Sequence, residues 1–405
     1  MKITETFPNQ NLKERILFED ILSGKFNIVP PDNIYYDAVK RRWDNAAKPL
    51  DSLGVFEEAT SRMGSILETD DLDLKKKAVI VMCADNGVVA EGVSQSGSEV
   101  TFAVAKAMGE NKSSVCKMAA VNNTKIIPVD IGIKSDEKIS GVLDKKVAKG
   151  TRDFVIEPAM TEEELYHGIQ VGMDIVMQCK NDGYSIIGTG EMGIGNTTTS
   201  SAVAIAVLLS RNSKDKLYKI TGFDNSDLSY CNINSDMDFY METYLNEFVG
   251  RGAGLSDEGL EKKKSVICMA LKKYELYKSG TDILTILQTV GGLDIAGLVG
   301  VIIGGAVYRI PIILDGVISS VAALVAVRLF PNIQDYIFAS HMGKEPAVKY
   351  ILDELGLKPV IYGELALGEG TGAVMMFSLL DMALSLYNKQ TTFDDIKIEA
   401  YKRFI

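Results

Sequence analysis

Ten residues decide the fold class of this chain: Ala78-Val79-Ile80-Val81-Met82-Cys83-Ala84-Asp85-Asn86-Gly87. An apolar run ends in Asp, Asn and Gly, which is typical of a buried strand that enters a tight turn. Four later runs repeat this form, at 124–132, 185–191, 310–316 and 335–341. The sequence therefore predicts at least five buried strands, each followed by polar residues or glycine.

Helical patterns separate these strands, at roughly 99–121, 162–181, 197–210, 257–279, 294–307 and 317–329. Apolar strands that alternate with helices predict an α/β fold, in which a mostly parallel sheet is covered by helices on both faces in three Rossmann-like layers. Residues 1–75 predict a small helical lobe, joined by about 380–405, and residues 76–379 predict the large α/β domain. A polar insertion lies near 211–247. Ligands of such folds bind beyond the carboxyl ends of the strands.

Composition excludes several classes of function. The net charge of −11 and the pI near 5.0 argue against a nucleic-acid partner or an anionic membrane surface. No apolar run is long enough to span a membrane, and the amino-terminal residues lack the apolar core of a signal peptide. The five cysteines are scattered without a C-x-x-C pair, so we expect no disulfide framework and a reducing cytoplasm. With only two histidines, we expect no metal site.

One acidic residue is bracketed by glycines in Leu367-Gly368-Glu369-Gly370-Thr371-Gly372-Ala373. The apolar run 374–380 follows and predicts a buried helix, so Glu369 lies near a helix amino end. Glycines allow a ligand to approach the backbone closely. Glu369 is therefore a candidate general base; the alternative is that it only complements the helix dipole.

A glycine-rich turn follows the strand at 185–191 and opens the next helix: Gly188-Thr189-Gly190-Glu191-Met192-Gly193-Ile194-Gly195-Asn196-Thr197-Thr198. Main-chain N–H groups at such a junction bind phosphate, and Thr197 and Thr198 add hydroxyl donors. There is no Gly-Lys-Ser/Thr of a nucleotide-binding P-loop, and the spacing of Gly190, Gly193 and Gly195 departs from G-x-G-x-x-G. The alternative is a tight strand-to-helix turn with a helix cap.

Further candidates lie on similar turns. The loop 250–255 precedes a charged helix whose Lys263 would meet a carboxylate or a phosphate, although such runs are usually solvated. Asp294 follows two glycines, Asp315 precedes Gly316, and Ser340 precedes His341. Each of these side chains is a candidate ligand-binding group or, alternatively, a turn or helix-cap residue.

Taken in order, these motifs resemble those of the nicotinate-nucleotide:dimethylbenzimidazole phosphoribosyltransferase family, over about residues 48–393. The resemblance implies transfer of a phosphoribosyl group from nicotinate mononucleotide to the aromatic base of a cobamide lower ligand, without a cofactor or a metal. It also implies a homodimer. By motif, Glu369 matches the catalytic base and Glu191 a second acid. The implied substrate-binding residues are Ser96, Val104, Gly193, Asn196, Thr197, Thr198, Lys263, Asp294, Asp315, Ser340, Leu367, Gly368 and Gly370.

The chain departs from the family pattern at three positions. Asn86 stands where the family commonly has histidine, Gly97 where many members have proline, and Val104 where some have a glutamine against the base. Without that amide, fewer polar groups can hydrogen-bond to the acceptor and discriminate between acceptors. The acceptor is thus open between a benzimidazole, a purine and a phenol such as p-cresol. Two rival readings are a non-catalytic partner subunit in a heterodimer and a dinucleotide-dependent oxidoreductase.

Overall fold

The computed structural model describes residues 14–210 and 233–403, with side chains in the second range from residue 240 onward. Its main sheet has six strands, all parallel, in the order β3-β2-β1-β4-β5-β6. This order is typical of doubly wound folds, which bind ligands at the carboxyl edge of the sheet. The strands are β1 (Lys77–Ala84), β2 (Lys125–Gly132), β3 (Leu143–Asp144), β4 (Ile186–Met192), β5 (Ile312–Leu314) and β6 (Ile337–Ala339).

Helices lie before, between and after the strands. They are α1 (Phe18–Leu22), α2 (Asn33–Asn45), α3 (Val55–Leu67), α4 (Glu99–Gly109), α5 (Ser114–Ala119), α6 (Glu162–Asn181), α7 (Asn196–Leu209), α8 (Ile233–Phe248), α9 (Asp257–Lys273), α10 (Ile283–Val290), α11 (Leu293–Tyr308), α12 (Val317–Leu329), α13 (Ala347–Glu354), α14 (Thr371–Asn388) and α15 (Phe393–Ile396). In the described ranges, no helix combines the length and apolarity needed to cross a membrane.

The predicted α/β fold is confirmed, and the five predicted strands all pair in the main sheet. Every residue of β1 is buried, because a central parallel strand is covered on both faces. The last predicted run, 335–341, is shorter than expected: Pro331–Tyr336 forms a 3₁₀ helix and only Ile337–Ala339 pairs with β5. A separate parallel pair, β7 (His341–Gly343) and β8 (Ile361–Leu365), was not predicted, because much of β8 is exposed and carries no apolar alternation.

Two predicted helices are too long. The pattern at 99–121 is broken into α4 and α5, because Asn111 takes a left-handed conformation with φ 57° and the Ser113 side chain caps the second helix. The pattern at 257–279 ends at Lys273, two residues before Glu275 with φ 55°. At both positions the left-handed residue ends the helix, although the apolar periodicity of the sequence continues beyond it.

The two ends of the described chain pack together. Trp43 is fully buried with its ring 5.0 Å from the ring of Tyr387, and the N–H of Ala47 donates to the carbonyl of Thr391 at 2.8 Å. The guanidinium of Arg403 pairs with Asp44 and Asp51. These contacts agree with a lobe built from both ends, although the domain boundary stays a prediction. Of the predicted insertion, residues 211–232 lie outside the described residues.

Helices α6 and α11 cross on one face of the sheet at very short range. A Cβ at Gly172 would lie 2.1 Å from the carbonyl oxygen of Gly297 and 2.6 Å from the main-chain nitrogen of Val301. A Cβ at Gly300 would lie 1.9 Å from the carbonyl oxygen of Ile169. The helices can approach this closely only because both crossing positions are glycine.

Gly172→Ala should therefore destabilise the protein. The obstructing atoms belong to the backbone and cannot rotate away, so the helices must separate, at a cost of about 1–3 kcal/mol. The free energy of unfolding in urea measures this loss. Gly363→Ala is the control, because its Cβ would meet its nearest neighbour at 3.6 Å, an ordinary contact. Equal stability of the two variants would contradict the account of the crossing.

Candidate active site

A cavity of about 250 Å³ lies at the carboxyl ends of β4 and β5. Its walls come from segments that are far apart in sequence, at 93–95, 191–197, 251–253, 315–319, 343–345 and 365–369, with Leu255, His341, Val348 and Thr371. Parallel strands end at the same edge of the sheet, so the polar turns that follow them converge there. Of the residues singled out in the sequence, Glu191, Gly193, Asn196, Thr197, Asp315, Leu367, Gly368 and Glu369 line this cavity.

Glu369 is held in an unusual backbone conformation. Its φ is 60°, between Gly368 at 77° and Gly370 at 89°, so three consecutive residues are left-handed. Such a conformation is costly for a residue other than glycine and persists only where neighbouring contacts impose it. The turn presses on β4, where a Cβ at Gly190 would lie 2.8 Å from the Glu369 carbonyl oxygen. The side-chain Oε2 of Glu369 accepts a hydrogen bond from the main-chain N–H of Val115 at 3.2 Å.

Asp315 fixes the turn that carries Glu369. Its Oδ2 accepts from the N–H of Gly370 at 3.1 Å and its Oδ1 accepts from the N–H of Gly372 at 2.8 Å. Burial raises the pKa of the Asp315 carboxyl, while the charge of His341 and the hydrogen bonds from main-chain N–H groups act against that rise. Asp315 was predicted to bind substrate; in the structure, both of its oxygens are committed to the backbone beside the candidate base.

Glu191 is the penultimate residue of β4 and lines the same cavity. It accepts a hydrogen bond from the amide of Asn196. Burial raises the pKa of Glu191 well above its usual range, and the negative charges of Asp294, Asp315 and Glu369 raise it further. The neighbouring carboxyl groups therefore disfavour the ionised form of Glu191, and a positively charged ligand would relieve that repulsion.

The amino end of α7 supplies the candidate phosphate site. Gly195 occupies the N-cap position with φ 91°, and no side chain caps the helix. The ammonium of Lys263 donates to Thr197 Oγ1 and to the carbonyl of Gly250, both at 2.9 Å. Lys263 is fully buried, and this burial lowers its pKa to about 8, with the acid Glu345 acting in the opposite direction. Positive potential is thus concentrated behind the first turn of α7.

Several residues from the sequence motifs lie beneath or beside the cavity wall. Thr198 is fully buried on α7, and Ser340 is fully buried with its hydroxyl 2.9 Å from His341 Nδ1. Asp294 is fully buried, and its pKa is raised to about 6 by that burial, against hydrogen bonds from Ile295 and Asn86. None of these three side chains lines the cavity.

Two implied substrate-binding residues that the resemblance places near the acceptor, Ser96 and Val104, also lie outside the wall. Ser96 follows the lining segment 93–95 and donates its N–H to Ser94 Oγ at 3.3 Å, and Val104 lies on α4, partly buried against the core. Their predicted contact with the acceptor stays a prediction. In the described part of the chain, no group of three His, Cys, Asp or Glu side chains is arranged to hold a metal ion.

Two features of the site carried no signal in the sequence. The N–H of Val115 is a main-chain donor, so its contact with Glu369 is independent of residue type. Glu345 contacts the glycine loop that precedes α9: its Oε1 accepts from the N–H of Gly252 at 3.1 Å, and a Cβ at Gly250 would collide with its Oε2. The loop 250–254 consequently lies close over Thr197 at the start of α7, where a Cβ at Gly252 would meet Thr197 Oγ1 at 2.8 Å.

Asp315→Asn should loosen the turn of Glu369. An amide presents one oxygen and one NH₂ group to two main-chain donors, so one N–H of Gly370 or Gly372 loses its acceptor. An unsatisfied buried donor costs about 1–3 kcal/mol. We expect a matching loss in the free energy of unfolding and a fall in turnover of roughly tenfold or more. Asp353→Asn, the same change at an exposed carboxylate, is the control, and equal effects in the two variants would contradict the role of Asp315.

The chain is similar to known phosphoribosyltransferases along most of its length. The model of a phosphoribosyltransferase family matches residues 28–230 and 237–398. The nicotinate-nucleotide–dimethylbenzimidazole phosphoribosyltransferase of Acetivibrio thermocellus is 39% identical over 366 residues, which are 90% of this chain and 94% of the relative. The enzyme of the same name from Clostridium acetobutylicum is 37% identical over 371 residues, covering 92% and 96% of the two chains.

Structural similarity agrees with the sequence matches. The crystal structure of the nicotinate-nucleotide–dimethylbenzimidazole phosphoribosyltransferase from Thermus thermophilus superimposes with a TM-score of 0.76 at 29% identity. It covers 91% of this chain and 99% of the other. The order of the strands, the cavity at their carboxyl ends and these matches lead to one conclusion: the chain belongs to the nicotinate-nucleotide–dimethylbenzimidazole phosphoribosyltransferase family.

Proposed function

We propose that this protein transfers the 5-phosphoribosyl group of nicotinate mononucleotide to an aromatic lower-ligand base, with Glu369 as the general base. The observation that carries the proposal is the position of Glu369, which lines one cavity together with the uncapped amino end of α7. The products are the α-ribotide of the base and nicotinate. The relatives named nicotinate-nucleotide–dimethylbenzimidazole phosphoribosyltransferase support this reading over the oxidoreductase and the non-catalytic subunit.

The donor binds by its phosphate at the start of α7. In the first turn of α7 the N–H groups of Asn196 and Thr198 donate to the carbonyls of Gly193 and Gly195, whereas the N–H of Thr197 has no acceptor among the described residues and is left for the phosphate. The buried ammonium of Lys263, bonded to Thr197, adds positive charge behind them. This arrangement explains how a chain of net charge −11 holds an anionic substrate. The phosphate anchors the ribose so that C1′ lies among the carboxyl groups.

The reaction exchanges one C1′–N bond for another. The bond between C1′ and the pyridinium nitrogen breaks, its electron pair stays with nicotinate, and the ring becomes neutral without a general acid. A ring nitrogen of the acceptor forms the new bond to C1′ from the opposite face, which inverts the configuration. The acceptor then carries one proton too many, and the carboxylate of Glu369 takes it. Base catalysis by a positioned side chain contributes roughly 10²–10⁴-fold.

Glu191 responds to the charge of the donor. Repulsion among the acids and burial favour its neutral form, and a cationic pyridinium or ribosyl centre favours its ionised form. Glu191 then lies where positive charge develops at C1′ as nicotinate leaves, so its carboxylate stabilises the transition state. Binding of the donor's cationic pyridinium ring thus favours the ionised form of Glu191, the second acid of the site.

We also propose that the protein acts in the cytoplasm as a homodimer, as the family resemblance implies. Static light scattering of the purified chain should give twice the 44.1 kDa mass of one chain. A mass of one chain at the concentrations used for assay would contradict the homodimer. A dimer that forms only with a related chain would instead identify a heterodimer.

Glu369→Gln should abolish base catalysis while the donor still binds. The amide keeps the shape of the side chain but cannot accept the proton, so we expect turnover to fall roughly 10²–10⁴-fold. Turnover is measured with nicotinate mononucleotide and a panel of 5,6-dimethylbenzimidazole, benzimidazole, adenine and p-cresol, and donor binding by calorimetry. The panel also identifies the preferred acceptor.

Glu364→Gln is the matched control, because Glu364 is an exposed glutamate that also has a left-handed backbone, with φ 51°. It should keep the turnover of the unmodified protein. Turnover of the Glu369→Gln variant at the same level would exclude Glu369 as the base. If the unmodified protein binds nicotinate mononucleotide but gives no product with any acceptor of the panel, the reading as a non-catalytic subunit is favoured.

A further inference from the structure

The carboxylate of Glu369 is held unequally at its two oxygens. Oε2 accepts the hydrogen bond from the N–H of Val115, whereas Oε1 takes no hydrogen bond from the residues that the structure describes. The main chain on the carboxyl side of Glu369 is already fixed by Asp315, and Thr371 donates from its N–H and its hydroxyl to the carbonyl of Gly368. The side-chain torsions of Glu369 are thus the freedom that the Val115 contact removes.

We propose that the main-chain N–H of Val115 is a positioning group for catalysis: it holds Oε2 of Glu369 so that Oε1 receives the proton of the acceptor. The inference rests on the proposed function and names a group that acts through the base. A glutamate side chain has several rotatable bonds, and fixing them before the reaction removes an entropic cost from the chemical step. A hydrogen bond to a carboxylate also favours its ionised form, which is the form that accepts a proton.

The N–H of Val115 is available to Glu369 because of its position in α5. Val115 lies in the first turn of this helix, where N–H groups have no acceptor within the helix. The side chain of Ser113 serves the N–H of Cys116 at 3.4 Å and leaves the N–H of Val115 for Glu369. The bond to Glu369 therefore competes with no bond inside α5.

Two sets of contacts fix the distance between α5 and Glu369. The side chain of Val115 is fully buried, which anchors α5 in the core. Directly after α5, the amide of Asn122 donates to the carbonyl of Val374 and to the hydroxyl of Ser378, both at 3.0 Å, on the helix that begins just after Glu369. The N–H of Val115 and the carboxylate of Glu369 thus lie on two segments, α5 and the turn before α14, that the hydrogen bonds of Asn122 also hold together.

Val115→Pro tests the inference, because proline lacks the N–H and is tolerated in the first turn of a helix. We expect kcat to fall about tenfold and the acidic limb of the pH–kcat profile to move upward by about one pH unit, since one unit corresponds to a tenfold change in the equilibrium. KM for nicotinate mononucleotide should stay within about twofold, because the phosphate site is untouched. Ser114→Pro is the matched control, since it places the same ring at the preceding position and keeps the N–H of Val115.

A second variant keeps the test decisive if proline disturbs α5. Replacement of Val115 by the corresponding α-hydroxy acid, through an expanded genetic code, exchanges the amide N–H for an ester oxygen and keeps the side chain. It should reproduce the shift of the acidic limb with the thermal midpoint close to that of the unmodified protein. An unshifted limb in this ester variant, or an equal shift in the Ser114→Pro control, would overturn the inference.

Parallel assay of Glu369→Gln separates two kinds of failure. If that variant is inactive while the ester variant behaves like the unmodified protein, Glu369 remains the base and Val115 has no positioning role. If Glu369→Gln is fully active, the proposed function of Glu369 fails, and any effect at Val115 is structural.

Discussion

Two hydrogen bonds from the backbone to one buried carboxylate hold this site together. Asp315, directly after β5, accepts from the N–H groups of Gly370 and Gly372 and so sets the path of the chain around Glu369. The left-handed conformation of Glu369 costs free energy, and these two bonds maintain it together with the hydrogen bonds from Thr371 to the carbonyl of Gly368. Burial of Asp315 strengthens the constraint, since a buried acid without its donors is more costly than an exposed one. The geometry of the base therefore depends on a residue outside its own turn, Asp315, which follows β5.

The fold could largely be predicted from the sequence, because its signals are local. β1 and β4 are apolar runs that end in turns, and α12 begins and ends at the predicted residues. The exposed β8 could not be recognised, since its residues face water and carry no apolar pattern. The break between α4 and α5 depends on Asn111 in a left-handed conformation, which a periodic pattern does not register.

The candidate site was less accessible to such reasoning. Glycines on both sides marked Glu369, and the glycine-rich turn marked the start of α7. Which acids line the cavity was not evident, because Asp315 and Asp294 both lie in predicted turns that contain an acid and glycine, yet only Asp315 reaches the wall. A carboxylate after a strand binds a ligand, caps a helix or holds a loop, and its partners in space decide which. The contact of Val115 with Glu369 joins residues 254 positions apart through a main-chain donor and leaves no trace in composition.

The glycines of β4 have a consequence for how the substrate range of this protein could change. A Cβ at Gly188 would lie 2.7 Å from Ala373 Cβ, and one at Gly190 would strike the backbone of the Glu369 turn. Natural divergence and laboratory evolution are thus both unable to add a side chain at these two positions, behind the turn that carries Glu369. Side chains of the lining loops, such as 93–95 and 251–253, remain open to exchange, and a mutant library should target them first.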